Sequence, residues 1–162
     1  MGDLGAIGER CVIEDGVMAF NPSHIFLGDD VYIGHRAMLK ADTRGDLRIE
    51  SGAWIGQDAY MHSAGGIRIG ARTGVGPRVI VLTSTHEETA PPQAIVDGPL
   101  TFAPVDVGEG CDIGVGAILL PGARVGDGSQ IGAGAVVTTN VPAGSVAAGV
   151  PARVLRRRGE RR

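Results

Sequence analysis

Residues 107–137 read VGEGCDIGVGAILLPGARVGDGSQIGAGAVV, and an aliphatic residue returns at every sixth position: Val107, Ile113, Leu119, Val125, Ile131 and Val137. Glycine follows four of these six, at Gly108, Gly114, Gly126 and Gly132. A small residue sits two positions before each of the last five, at Cys111, Ala117, Ala123, Ser129 and Ala135. A six-residue period fits no amphipathic helix, whose apolar stripe returns every 3.6 residues. It fits a short strand followed by a tight turn, with alternate residues pointing inward. One such unit cannot bury its own apolar face, so the units must stack.

The same phase runs back toward the N-terminus. The inward series is Ile7, Ile13, Ala19; Leu27, Ile33, Leu39; Ile49, Ile55, Met61; and Ile69, Val75, Val81. Three faces of six residues make an 18-residue coil that closes as a triangular prism. The spacing slips only between the third face of one coil and the first face of the next. Two residues are added after Ala19, four after Leu39, two after Met61 and twenty after Val81. Every insertion therefore falls at one corner of the prism. About six coils are expected, and at about 4.8 Å per stacked strand they give a prism roughly 30 Å tall.

One domain is expected from 162 residues: a β-helix over 1–142 with an excursion at 82–106, and a tail over 143–162 that leaves the hexad and ends Arg-rich. Layers of Ile, Val, Leu and Ala fill a narrow interior, which explains an aromatic content of only 4%. The 27 glycines are periodic and sit at corners, which argues for turns rather than disorder. No apolar run of membrane-spanning length occurs, and MGDLGAIGERC lacks signal-peptide features, so no membrane span and a cytoplasmic location are expected. Cys11 and Cys111 both fall in the small inward slot, where packing is the expected role. The arginine tail stands on a chain of net charge −3 without interleaved aromatics, so no nucleic-acid partner is expected. A solvated end, or assistance with coenzyme phosphates, is the expected role of that tail.

The residue before each inward aliphatic points outward. On the first face these are mostly polar: Ala6, Phe26, Arg48, Arg68, Asp106 and Arg124. On the second face Tyr32 and Trp54 stack, and packing against the tail or another protomer is expected there. On the third face the column is apolar: Met18, Met38, Tyr60, Ile80, Ile118 and Val136. A continuous apolar stripe marks an interface. The strongest chemical candidate is His86, in TSTHEE at the start of the excursion. An imidazole that titrates near neutrality suits the base step of acyl transfer. His24, His62 and His86 share the insertion corner, whereas His35 lies at another. Either a backbone carbonyl or a carboxylate such as Asp58 is expected to orient His86.

The run from Ile69 through Thr83–His86, a proline-containing loop, Val107 to Val137, Val141–Pro142 and Gly149–Val150–Pro151–Ala152–Arg153 resembles the hexapeptide-repeat acetyltransferases. The maltose, galactoside and polysaccharide O-acetyltransferases are the most similar in pattern, over roughly residues 45–156. The resemblance implies an all-β fold, the left-handed parallel β-helix. It implies acetyl-CoA as co-substrate with no metal, a hydroxyl of a sugar or polysaccharide precursor as acceptor, and His86 as catalytic base. It also implies coenzyme contacts at Gly114, Ala133, Gly134, Thr138 and Arg153, acceptor contacts at His62 and Asp58, and a homotrimer closed through the third face. The chain departs from the pattern at Asp112, where relatives often carry Trp, and at Thr139, where they often carry Lys or Arg. Three other functions are weighed beside it. One is N-acetylation of an amino-sugar nucleotide or small amine. Another is a zinc carbonic anhydrase of the gamma type, although His24, His62 and His86 lie 38 and 24 residues apart and no H-x4-H occurs. The third is a β-helix that only binds.

Overall fold

The computed structural model describes residues 3–160. Its strands are only two to five residues long; three sheets form the faces of the prism, one per face, and a fourth of two strands projects from it. The inward residues pair in parallel as the six-residue phase requires. On the first face Ile7, Leu27, Ile49, Ile69, Val107 and Val125 stack in order. Ile13, Ile33, Ile55, Val75, Ile113 and Ile131 form the second column. Ala19, Leu39, Met61, Val81, Leu119 and Val137 form the third. The architecture is all-β, a left-handed parallel β-helix.

Burial follows from stacking. Ile33, Ile55, Ile69, Ile113 and Leu119 are all at most 1% exposed, and so are the small-slot residues Ala37, Ala59, Ala117 and Ala135. An aliphatic and a small residue from each face fill a triangular layer. Cys111 occupies such a slot, and burial pushes its thiol pKa up. Buried polar side chains tie one coil to the next. Thr73 Oγ1, for example, donates to the Gly108 carbonyl at 2.7 Å and accepts from the Cys111 N–H at 3.0 Å. Among the described residues no buried side-chain polar atom lacks a partner.

The structure adds to the sequence reading at both ends. The tail does not leave the stack at residue 143. Val141 bridges Val125 in parallel on the first face, and Ala147 pairs with Ile131 on the second, which makes a partial seventh coil. Strand Arg153–Arg157 then turns back antiparallel on Ser145–Ala148 and closes that end of the second sheet. Arg161 and Arg162 lie outside the described residues. At the other end Ile7 is 55% exposed, because no coil lies beneath it. Tyr32 and Trp54 stack with ring centroids 5.4 Å apart and planes 1° from parallel. The tail pairs at the opposite end of their sheet and does not cover them.

All the insertions fall at the corner between the third and first faces. They form a short 3-10 turn at Pro22–His24, a tight turn bridged by Asp42 and Gly45, a turn closed by the Gly66 N–H donating to the Ser63 carbonyl at 2.8 Å, and a projecting arm. The arm is an antiparallel hairpin in which Ser84–His86 pairs with Leu100–Phe102. No helix among the described residues is long and apolar enough to cross a membrane.

Candidate active site

The hairpin arm is anchored by Thr83, which is fully buried. Its hydroxyl donates to the His62 carbonyl at 2.6 Å and accepts from the Gly65 N–H at 2.8 Å. Its own carbonyl accepts from the Ala103 N–H at 3.0 Å, which closes the root of the arm. Three residues further along, His86 lies opposite Leu100 and is exposed. His86 Nδ1 lies 3.3 Å from the Gly98 carbonyl. A carbonyl can only accept, so this contact places the imidazole proton on Nδ1 and leaves the Nε2 lone pair free. Of the two orienting groups expected from sequence, the backbone carbonyl is the one present.

Asp58 is not brought to this corner. It occupies the turn between the second and third faces with φ 57°, and its carboxylate accepts two hydrogen bonds from Arg36, at 2.8 and 3.0 Å. The Arg36 guanidinium holds the Asp58 pKa below the usual carboxylate range. The pair belongs to a set of ion pairs between stacked corners, which includes Arg10–Asp30 and Arg72–Glu109. Stacking fixes their register, and that signal could have been read by aligning turn positions coil over coil.

His62 does share the corner. It ends strand Tyr60–His62, between Lys40 below and Leu82 above, with the Tyr60 ring 6.4 Å away. Burial, and then the Lys40 charge, lower its pKa, so the neutral imidazole is favoured. His24 has a separate partner, with Nδ1 3.0 Å from Asp46 Oδ1. Among the described residues no three His, Cys, Asp or Glu side chains gather as a ligand set.

The positions expected to hold coenzyme bracket the upper third face. Ala133 and Gly134 are exposed at its leading corner, and Thr138 is exposed at its trailing edge, the edge from which the hairpin arm departs two coils earlier. The leading corner changes character along the prism. Its left-handed position carries Gly16, covered by the Arg36 side chain, in the lowest coil, Arg36, Asp58 and Arg78 in the next three, and Gly116 and Gly134 in the upper ones. A Cβ at Gly116 or Gly134 would meet nothing within 4 Å, so this stretch of backbone is bare and open to close approach. The corner between the first and second faces is bared in the same way at Gly110, whereas at Gly128 the Arg158 guanidinium covers the backbone and donates to the Gly128 carbonyl at 2.9 Å. Gly114 has a packing reason of its own, since a Cβ there would lie 2.6 Å from the Ala133 nitrogen. Arg153 is exposed at the start of the closing strand and spends one donor on the Ala152 carbonyl at 2.8 Å.

Comparisons with known proteins agree with this fold. The family model for the hexapeptide repeat of succinyl-transferase matches residues 104–139. Nodulation protein L of Rhizobium meliloti (strain 1021) is 38% identical over 138 residues, covering 81% of this chain and 73% of that protein. WcaF of Escherichia coli (strain K12), named for an acetyltransferase role in colanic acid biosynthesis, is 30% identical over 134 residues, covering 83% of this chain and 70% of its own. The chain belongs to the hexapeptide-repeat acetyltransferases. Among solved structures, galactoside acetyltransferase in complex with coenzyme A superposes with TM-score 0.66 at 25% identity, covering 95% of this chain and 65% of that one. AntD, an N-acyltransferase from Bacillus cereus solved with dTDP-4-amino-4,6-dideoxyglucose and coenzyme A, superposes with TM-score 0.85 at 20% identity, covering 97% and 85%. At that identity AntD shows the shared fold. The enzyme class of this acetyltransferase is CoA-dependent acyl transfer.

Proposed function

We propose that this acetyltransferase moves the acetyl group of acetyl-CoA to a hydroxyl of a sugar or polysaccharide precursor. In this reading it works in the cytoplasm as a homotrimer, with His86 as general base. The observation that carries the assignment is the Nδ1 contact of His86 with the Gly98 carbonyl, which leaves Nε2 free on an exposed arm. Acetyl-CoA supplies an activated thioester. His86 Nε2 takes the proton of the incoming hydroxyl as that oxygen attacks, and passes it on to the departing sulfur. The bare corner at Ala133 and Gly134, the Thr138 edge and the Arg153 guanidinium hold the coenzyme, the last through a phosphate. His62, kept neutral beside the root of the arm, contacts the acceptor. Asp58, held by Arg36 at another corner, has no part in the site.

The trimer rests on the third face. Met18 is 43% exposed, and Met38, Tyr60, Ile80, Ile118 and Val136 are half-buried along the same column in a single chain. An apolar stripe of that length is covered by closing a ring of copies. Thiol release from acetyl-CoA in the presence of a panel of saccharides tests the function. Release that depends on a neutral or acidic sugar bearing hydroxyls is expected. Release supported by amino sugars alone would move the enzyme to N-acetylation, and no acceptor-dependent release would overturn the reading.

A further inference from the structure

A cleft of about 380 Å³ runs along the first face, beside the root of the His86 arm. That volume lies within the range of small-ligand sites, roughly 300 to 1,000 Å³. Its charged lining is Arg44, Arg48, Arg68 and Arg124 against Asp46 and Asp106. On a chain of formal net charge −3, such a surplus of guanidinium groups is local and directional.

The four arginines are not equivalent. Arg68 is held between two carboxylates, donating to Glu50 at 2.7 and 3.2 Å and to Asp106 at 2.9 Å. Arg48 donates to Asp46 and lies 4.2 Å from the Phe26 ring centroid. Arg124 stands directly beside Asp106 in the sheet, yet the Asp106 carboxylate is turned to Arg68. Among the described residues Arg124 has no carboxylate partner. Arg44 has none either: its guanidinium lies over the Phe102 ring, 4.7 Å from the centroid. Two guanidinium groups without counter-ions thus face one cleft, and one of them rests on the return strand of the hairpin that carries His86.

We infer that this first-face cleft is an anion subsite for the acceptor, in which Arg44 and Arg124 grip a phosphate or carboxylate of an acidic saccharide. The inference rests on the acetyltransferase reading and adds the charge of its acceptor. Planar guanidinium forks match both anions in geometry, and each has donors to spare here. Of the coenzyme positions, Ala133 and Gly134 lie at the leading corner of the third face, across that face from the arm, so the first-face cleft is left for the second substrate. An anion held between Arg44 and Arg124 would place the rest of the sugar against Gly65, Gly66 and Pro104, at the foot of the arm.

The test is calorimetric titration of pyrophosphate, and separately of glucuronate, into protein already saturated with CoA, which blocks the coenzyme's own phosphate sites. At least one probe is expected to bind, and Arg124→Glu and Arg44→Ala should each weaken it tenfold or more. Arg72→Ala removes an arginine paired with Glu109 at another corner and should leave it unchanged. Circular dichroism confirms that each variant is folded, and Arg124→Gln replaces Arg124→Glu if charge reversal unfolds the chain. Binding of pyrophosphate alone assigns a phosphorylated acceptor, and binding of glucuronate alone assigns a uronic acid. Absence of binding by both, or equal affinity in Arg124→Glu, overturns the subsite. CoA affinity, read first on the same sample, reports on the acetyltransferase reading independently.

Discussion

Thr83→Val keeps the shape of the Thr83 side chain and removes only its hydroxyl. That hydroxyl makes two hydrogen bonds, to the His62 carbonyl at 2.6 Å and from the Gly65 N–H at 2.8 Å, at a residue with no solvent exposure. Each bond contributes about 1 kcal/mol net, and the two backbone groups left without partners add a desolvation cost, so the loss should be about 2 to 4 kcal/mol. For a chain of this length each kcal/mol shifts Tm by roughly 2 to 4 °C, so the variant should melt roughly 5 to 15 °C below wild type. The groups left unpaired are those that anchor the arm of His86, so acetyl transfer should fall at temperatures where the prism is still folded. Thr83→Ser keeps both bonds and should lose only a methyl group, about 1 kcal/mol. Differential scanning calorimetry on the three proteins, beside thiol release at 25 °C, makes the comparison. A Val variant that melts with wild type, or a Ser variant as damaged as Val, would refute the anchoring role.

Three further outcomes are expected. Burial and Lys40 lower the His62 pKa, so the folded state binds fewer protons there than the unfolded chain. Its contribution is therefore present above the ordinary histidine value of about 6.5 and lost as the pH falls below it. The drop in Tm between pH 7.5 and pH 5 should be smaller in His62→Gln than in wild type, and superimposable profiles would contradict this. Cys11→Ala and Cys111→Ala should each cost about 1 kcal/mol or less and keep full turnover, whereas lost turnover in a folded variant would reveal a catalytic thiol. Ile80→Asp combined with Ile118→Asp puts charge into the third-face column and should give inactive monomers by light scattering, and an active trimer would sink the assembly.

Most of the fold was legible because stacking converts a one-dimensional phase into a three-dimensional address. Once Ile33 and Ile55 are known to be inward, every neighbour's direction follows, and the gaps in phase mark the insertion corner. The partial seventh coil was missed because Val141 follows Val137 by four residues rather than six, so the phase breaks where the structure does not. The excursion at 82–106 does not show in the phase as a hairpin because its strands Ser84–His86 and Leu100–Phe102 pair with each other across thirteen mostly exposed residues, outside the hexad. Asp58 was misplaced for a different reason. Its partner Arg36 is 22 residues away, and only coil-over-coil alignment of the turns brings them together. The outward direction of Arg48, Arg68 and Arg124 was legible, but which of them lacks a carboxylate depends on side-chain geometry that phase alone does not give.

The most direct test of the account is the turnover of His86→Ala with acetyl-CoA and the acceptor selected from the saccharide panel, measured beside its Kd for CoA. The substituted ring lies on an exposed arm, and among the described residues its side chain has one hydrogen-bond contact, with the Gly98 carbonyl, so the fold should be unaffected. Loss of a general base should lower kcat by roughly 10² to 10⁴, with CoA affinity within twofold of wild type. A His86→Ala enzyme that turns over at the wild-type rate would contradict the mechanism.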